Sequence, residues 1–332
     1  MDVRGRKGRK RYRFNMDGRR FFLPILIIFL LPLTVFPQSL MRDDEIIRVP
    51  EPDIMQIITT TDGKDYIGNV TEVKKGNVTF DRIETQTDTV FTLDEIKAIK
   101  EVPASHIRRG KYWFPNPNTS RIVIAQTGRS IPRGHGYIAD FEILLPLAAY
   151  GITDNFSIAA GGTFINRITK TSAFAAFWIL PKVGFDIYEK LAIAAGGGWI
   201  HAFGVEEEFQ DVGFCYGALT LGDPDLSLTL GTGYGFSRTR EWVENEGYIH
   251  NVLWPVVPGF LLGGEYRFGR QISILTENYL IHDGDGFQPV AGIGLRSFGE
   301  SYAADIILYN AFGYSGLPAF PGIPFIGIVW NF

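Results

Sequence analysis

Cysteine, histidine and long apolar stretches are scarce in this chain of 332 residues. A single cysteine, Cys215, excludes an internal disulfide, and no spacing of Cys and His indicates a zinc site. The longest apolar run, 21–36, has 16 residues and is interrupted by Pro24 and Pro32. A membrane-spanning helix needs about 20 apolar residues. The sequence therefore predicts neither a disulfide-stabilised fold nor a helical membrane protein.

Catalytic motifs are missing as well. There is no G-x-S-x-G sequence, and none of four histidines lies in a nucleophile motif: His135, His201, His250 and His282. The "HDGDG" stretch places Asp283 near Asp285, but the other oxygen ligands of a calcium loop do not follow. We therefore expect no enzyme activity, no cofactor and no bound metal.

The positive charge is concentrated at the N-terminus. Residues 1–20 contain nine Lys and Arg against two Asp, a local charge of +7, and the apolar run 21–36 follows directly. This order is typical of a signal peptide, which we predict over residues 1–39, with a retained anchor as the alternative. Removal of the +7 changes the net charge from −4 to −11. Nucleic acid is therefore not expected as a partner, because binding it requires basic charge.

A short polar segment follows a linker at 40–52. Between Ile54 and Val102, Asp62-Gly63 and Lys75-Gly76-Asn77 are flanked by alternating apolar and polar residues, which is a hairpin pattern. Five short strands are predicted in a small β domain over 53–104, with a second linker at 105–118. The "DG-x-x-x-x-G" hairpin and the "LDEI" turn resemble SH3-like or Sm-like small barrels. We expect this domain to be a periplasmic plug, spacer or docking module.

Alternating hydrophobicity dominates residues 119–332. In "LSLTLGTGYGFS", residues 226–237, large apolar residues lie on one face, while Ser227, Thr229 and three glycines lie on the other. The same period of two appears near 137–143 and 156–164. Soluble sandwiches and membrane barrels share this period. The pattern therefore predicts strands without choosing between the two architectures.

The connections between strands favour a membrane barrel. About twelve strands are predicted, near 120–127, 135–148, 155–165, 172–187, 190–203, 212–221, 225–237, 252–268, 271–281, 288–298, 301–311 and 321–332. Connections after even strands are short, such as "GITDN", and most of those after odd strands are longer, such as "TGRSIPRGHG". Short turns at one end and long loops at the other are typical of outer-membrane barrels. We predict an all-β chain with a transmembrane antiparallel up-and-down β-barrel of about 12 strands, with 10 or 14 as alternatives.

Several aromatic residues stand where interface girdles are expected: Tyr150, Trp178, Tyr188, Trp199, Tyr266, Phe268, Phe298 and Trp330. The stretches "GRSIPRGHGY", "YGITDNFSIAAGG", "LPKVGFDIYEKLAIAAGGG" and "ISILTENYLI" resemble a group of uncharacterised gram-negative outer-membrane β-barrel proteins. The resemblance covers most of 125–300 and implies the fold and an outer-membrane location. It implies no activity and no site residues.

The polar face of the strands is where a function is expected. Eight charged residues are predicted to point into the lumen: Asp140, Glu142, Lys182, Glu265, Arg267, Glu277, Arg296 and Asp305. They can pair and lock the barrel, or they can line a narrow pore or a solute site.

The chain ends in "PFIGIVWNF", which reads as a last strand. Ile326, Ile328, Trp330 and Phe332 share one face, which is predicted to meet lipid. Ile328, Trp330 and Phe332 resemble the C-terminal signal of outer-membrane barrels, so the outer-membrane assembly machinery is an expected partner beside lipid. The last strand is predicted to close the barrel against the first, near "SRIVIAQT".

Two functions follow as expectations. The first is a narrow porin-like channel or solute-binding barrel in the outer membrane, with the small domain in the periplasm. The second is a structural or interaction protein with a sealed lumen, whose periplasmic domain docks a protein partner.

Overall fold

The computed structural model describes residues 47–85, 87–165, 174–203, 210–243, 248–282, 286–312 and 322–332. The predicted signal peptide, together with Asp283 and Asp285, lies outside these ranges. No helix within them is long and apolar enough to cross a membrane.

The N-terminal domain is an antiparallel sheet with the strand order β4-β3-β2-β1-β5. Its described strands are β1 Ile54–Thr60, β2 Asp65–Lys74, β3 Asn77–Arg82, β4 Asp88–Thr92 and β5 Ile96–Pro103. Alternate residues bury Ile58, Val70, Val78 and Phe80 in a common core. Lys75 and Gly76 both have positive φ, 49° and 83°, as a tight hairpin between β2 and β3 requires. The five predicted strands are confirmed, while the likeness to SH3-like barrels stays a prediction.

A short connection leads to the second domain. It contains a 3₁₀ turn at Ala104–His106 and two paired two-residue strands, β6 Ile107–Arg108 and β7 Lys111–Tyr112; a further 3₁₀ turn, Leu93–Glu95, lies between β4 and β5. The Arg108 guanidinium contacts the Asp225 carboxylate at 2.8 Å, and Lys100 of β5 forms an ion pair with Glu300. The N-terminal domain therefore contacts one end of the following barrel.

In the part of the chain that the structure describes, twelve strands close into an antiparallel barrel, as predicted. They are β8 Gly136–Phe141, β9 Leu145–Gly151, β10 Phe156–Ile165, β11 Phe174–Tyr188, β12 Leu191–Phe203, β13 Gln210–Asp223, β14 Leu226–Val243, β15 Tyr248–Gly269, β16 Ile272–His282, β17 Phe287–Phe298, β18 Tyr302–Ala311 and β19 Ile323–Asn331. Each strand pairs with the next, and β19 pairs with β8. The closure satisfies backbone groups that lipid could not satisfy at an open edge.

Both ends of the barrel sequence meet at one end of the barrel, which we call the near end. Gly136 and Phe332 exchange two backbone hydrogen bonds, each 2.9 Å long. The short turns at 152–155, 189–190, 224–225, 270–271 and 299–301 lie at this near end, together with the N-terminal domain. The opposite, far end carries the turn at 142–144 and the last residues of β10, β12, β14, β16 and β18.

Two strand predictions at the start of the barrel are wrong. The run 120–127 is not a barrel strand; it forms a turn inside the barrel, where an isolated bridge joins Arg121 and Gln126. The predicted strand 135–148 is two strands, β8 and β9, so the total stays at twelve. A short β-branched run reads as a strand whether its backbone groups bond to a neighbouring strand or to side chains. Accordingly β19 closes against β8 and not against "SRIVIAQT".

The outer face of the barrel is apolar. Leu226, Leu228 and Leu230 are 58%, 44% and 43% exposed, while Thr229 between them is fully buried. Exposed aromatic side chains lie in a near-end band with Tyr150, Tyr188, Tyr266, Phe268, Tyr302 and Trp330, and in a far-end band with Phe164, Phe177, Trp199, Phe287 and Phe312. Two aromatic bands that flank an apolar belt are typical of barrels in a membrane. Two predicted girdle residues face inward instead: Phe298 is fully buried, and Trp178 lies against Gly161 of β10.

Candidate functional site

The interior of the barrel holds a stretch of the chain that precedes β8, residues 114–130, which we call the internal segment. Phe114, Asn118, Ile122 and Val123 are each at most 5% exposed. Near Gly263 and Gly184 the barrel wall and the segment are so close that a Cβ would lie 2.7 Å from Ile122 and 2.6 Å from Ser130. The segment is therefore packed against the wall, and glycines of β11 and β15 make room for it.

Glu277 of β16 holds the turn of the segment. Its carboxylate accepts the backbone N–H groups of Val123, Ile124 and Ala125 at 2.7, 3.2 and 3.2 Å. The hydroxyls of Tyr279 and Tyr309 donate to it at 2.5 and 2.8 Å. Successive N–H groups that converge on one anion form a nest. Here the protein supplies both the nest and the anion, so the carboxylate satisfies backbone groups that no strand partner reaches.

Arg296, Asp305 and Glu265 form a buried ion network on three strands. The Arg296 guanidinium donates to both Asp305 oxygens, at 2.6 and 2.8 Å, and to Glu265 at 2.8 Å. It also donates to the carbonyl of Ile122. Arg121 of the internal segment reaches Asp305 at 2.9 Å, and Asn116 reaches Glu265 at 2.9 Å. Buried charges are tolerated when they are paired in this way, so the network joins the segment to the wall.

Arg267 anchors the start of the segment at the near end. Its guanidinium donates to the Phe114 carbonyl at 2.8 Å and to the Asp225 carboxylate at 3.0 Å. It lies about 5 Å from the ring centres of Trp113, Phe114 and Phe298. Aromatic faces attract a cation at this distance. Arg267 therefore closes the near end by charge and by packing.

Lys182 of β11 holds the end of the segment. Its ammonium group donates to the carbonyls of Ser120 and Arg129 at 2.9 and 2.6 Å, and the Gln126 side-chain oxygen lies at 3.5 Å. An ammonium group has three donors, and all three are directed at the internal segment.

The structure thus places six of the eight predicted lumen residues inside the barrel: Lys182, Glu265, Arg267, Glu277, Arg296 and Asp305. Asp140 and Glu142 are corrections. Asp140 lies beside Ile328 on the outer face, and Glu142 follows the end of β8 with a φ of 55°. The Glu142 carboxylate accepts the Ile326 N–H at 2.6 Å. The inner face of β8 carries Tyr137 and Phe141 instead, and both rings lie within 5.8 Å of the Arg121 guanidinium.

The residues of the predicted assembly signal lie on the outer face. Ile328, Trp330 and Phe332 are 61%, 48% and 54% exposed, while Val329 between them is buried. Their recognition by the assembly machinery stays a prediction.

Arg121, Asn116, Tyr279 and Tyr309 escaped the sequence reasoning. Arg121 directly precedes the β-branched run 122–124, and this run predicts a strand and not a turn inside the barrel. The six inward charges gave no signal for it, because their three carboxylates and three basic groups balance one another.

On the far side of the internal segment the lumen widens into a cavity of about 440 Å³. Its walls come from β8 to β16 and its floor from the tip of the segment, Ile124 to Gln126. Leu180, Phe214, Tyr216 and Leu261 are among the lining side chains. Among the described residues, the interior is therefore divided into a charged near half, which the internal segment fills, and a largely apolar far half, which contains the cavity.

No family model matches this sequence, and no curated protein matches it significantly. Two solved porins and a translocator domain are similar to part of it. The KdgM porin in complex with disordered oligogalacturonate is 9% identical, with 60% of this chain and 96% of that chain covered and a TM-score of 0.39. The NanC porin is 8% identical over 59% and 97%, with a TM-score of 0.36. The translocator domain of the autotransporter NalP from Neisseria meningitidis is 12% identical over 60% and 85%, with a TM-score of 0.36.

Proposed function

We propose that this protein is an outer-membrane β-barrel that binds a small solute in its lumen and is closed to ion flow at rest by its internal segment. The observation that carries the proposal is the contact of Glu277 with three successive N–H groups of the segment. It makes the segment a closing element that is held by side chains of the wall and not by a strand ladder.

The outer face supports a location in a membrane. An apolar belt between two aromatic bands matches a lipid bilayer, and a closed barrel leaves no unpaired strand edge in lipid. In outer-membrane barrels the short turns face the periplasm. By this rule the near end, with the N-terminal domain, is periplasmic, and the far half with the cavity is reached from outside the cell.

The buried ions support a closed resting state. Arg296, Asp305 and Glu265 are each at most 7% exposed and contact the internal segment. A porin constriction needs charges that face water and passing ions. Here the charges face the segment, so ion flow requires the segment to move.

Conductance in planar bilayers tests the proposal. The purified full chain should be nearly silent. Glu277→Gln removes the negative charge and places an amide NH₂ group among the N–H donors of the segment. Hydrogen bonds to a charged group contribute about 1.5–3 kcal/mol, and the closed state loses this contribution. Because each 1.4 kcal/mol is a factor of ten, we expect about 10- to 100-fold more open time in the variant.

Glu189→Gln, in an exposed near-end turn, is the matched control and should stay silent. Steady conductance in the unchanged protein would contradict the closed state. A silent Glu277→Gln variant, folded by gel mobility with and without boiling, would contradict a movable segment.

A second candidate function is favoured by the N-terminal domain. Strand β4 forms one edge of its sheet, and Val90 on β4 is 58% exposed, with Leu93 beyond it at 47%. An apolar edge strand can pair with an extended segment of another protein. The domain would then dock a periplasmic partner while the lumen stays sealed. Crosslinking from β4 should then recover a partner that Val90→Lys loses; recovery of the protein alone would count against docking.

A further inference from the structure

We propose that the far half of the lumen is a binding site for an uncharged, apolar small molecule. The proposal rests on the proposed function, since it names the solute class for the same lumen. The cavity of about 440 Å³ has the size of a small-molecule site.

The floor of the site includes Ile124, an apolar side chain that is half exposed and faces the cavity. Ile122, Val123 and Ala125 are buried against the wall, whereas Ile124 between them is 49% exposed and lies at the cavity. A solvent-facing Ile at the tip of a turn inside a protein costs hydrophobic free energy, at about 25 cal/mol per Å² of apolar surface. An apolar ligand on this floor would recover that free energy.

The side walls of the cavity consist of aromatic and aliphatic side chains on one side and glycines on the other. Phe214, Tyr216 and Tyr279 line the cavity together with Leu180 and Leu261. Opposite these side chains, β14 and β15 contribute glycines, among them Gly235 and Gly259. A Cβ on either would find its nearest heavy atom at 4.0 or 3.9 Å, in each case a backbone oxygen. Hence these glycines are not required by close packing, and they leave volume for a ligand.

The electrostatics of the walls select against a charged ligand. Among the described residues that line the cavity, Lys182 carries the positive charge, and its ammonium N–H groups are directed at Ser120, Gln126 and Arg129. Glu277 lies behind the floor, and its oxygens accept bonds from the segment and from two tyrosines. A charged molecule would lose its hydration here without gaining a partner among the described lining residues, which is costly. The few polar groups, such as Ser157 and Gln126, suit at most one or two neutral polar atoms.

Fluorescence titration of the full chain in lipid nanodiscs tests the site. N-phenylnaphthylamine, an uncharged aromatic probe, should bind saturably at one site per chain after subtraction of empty nanodiscs. Anilinonaphthalene sulfonate, its anionic analogue, should bind at least about tenfold more weakly.

Substitution places the site in the lumen. Gly235→Phe directs a ring into the cavity and should weaken binding of the neutral probe at least about tenfold. Ala195→Phe is the control: Ala195 is exposed on the outer face of β12, opposite Gly217 in register, and it does not line the cavity. This variant should bind as the unchanged protein does. If Gly235→Phe does not fold, Gly259→Phe makes the same test.

Binding that does not saturate, or that survives in the folded Gly235→Phe or Gly259→Phe variant, would overturn the site. Equal affinity for the sulfonate would overturn the uncharged class. Both results are independent of conductance: a bound probe with a silent Glu277→Gln variant leaves the site intact and removes the movable segment, whereas the reverse result removes only the site.

Discussion

Arg296 of β17 and Asp305 of β18 stand opposite each other in register, and the guanidinium donates from Nε and Nη2 to the two carboxylate oxygens at 2.6 and 2.8 Å. Both residues also contact the internal segment, Arg296 at the Ile122 carbonyl and Asp305 at the Arg121 guanidinium. A cross-strand pair of this kind fixes the register of two strands. Here the same pair also holds the internal segment in the lumen.

Arg296→Met should strongly destabilise the barrel. The substitution leaves the buried carboxylates of Asp305 and Glu265 without the guanidinium that both contact, and loss of one partner of a buried ion pair costs about 3–5 kcal/mol. The free energy of unfolding can be measured by urea titration in lipid vesicles, with tryptophan fluorescence and gel mobility as readouts.

Arg270→Met is the control for that substitution. Arg270 is exposed in the near-end turn between β15 and β16, so its loss should change stability by no more than about 0.5 kcal/mol. Equal effects of the two substitutions would mean that the ion network contributes nothing specific.

The architecture could be predicted because strand alternation and turn length are local features of the sequence. The alternation in 226–237 and the short turns at one end required no knowledge of distant contacts. The outward row of Ile328, Trp330 and Phe332 followed from the same period of two. The positions of Lys182, Glu265 and Glu277 followed for the same reason.

The interior could not be predicted because its contacts are non-local. The run 120–127 carries β-branched residues, and its partners Glu277 and Asp305 lie more than 150 residues away in sequence. On β8 the predicted faces are exchanged, with Tyr137 and Phe141 inside and Asp140 outside, because the two inward rings pack against the Arg121 guanidinium of the internal segment. Periodicity reports two faces but cannot say which one meets another part of the chain.

Deletion of the N-terminal domain, residues 47–104, should leave the barrel closed. The internal segment follows this domain in sequence and is held by the wall, and the described contacts between domain and barrel include the exposed Lys100–Glu300 pair. An exposed ion pair contributes about 0–1 kcal/mol. Conductance of the shortened protein should therefore match that of the full chain. A large increase would mean that the domain itself closes the lumen.

The proposed orientation can be tested by cysteine labelling. In a Cys215→Ser background, Lys75→Cys in the β2–β3 hairpin should react with a membrane-impermeant maleimide only after the outer membrane is permeabilised. Leu144→Cys, in the far-end turn and 46% exposed as leucine, should react in intact cells. Labelling of both sites in intact cells, or of Lys75→Cys alone, would contradict a periplasmic near end.

Phe332→Ala should reduce assembly of the barrel while leaving its closure intact. Gly136 and Phe332 bond through backbone groups, which the substitution keeps. The lost ring is 54% exposed on the outer face, so we expect its removal to act chiefly on the predicted recognition by the assembly machinery. We expect less than half of the normal amount in the outer membrane, measured by fractionation and by gel mobility with and without boiling.

Phe287→Ala is the control for Phe332→Ala. It removes an aromatic ring of similar exposure, 47%, from the far end, and this variant should assemble normally. Equal losses in both variants would show that lipid contact, and not the C-terminal position, explains the effect.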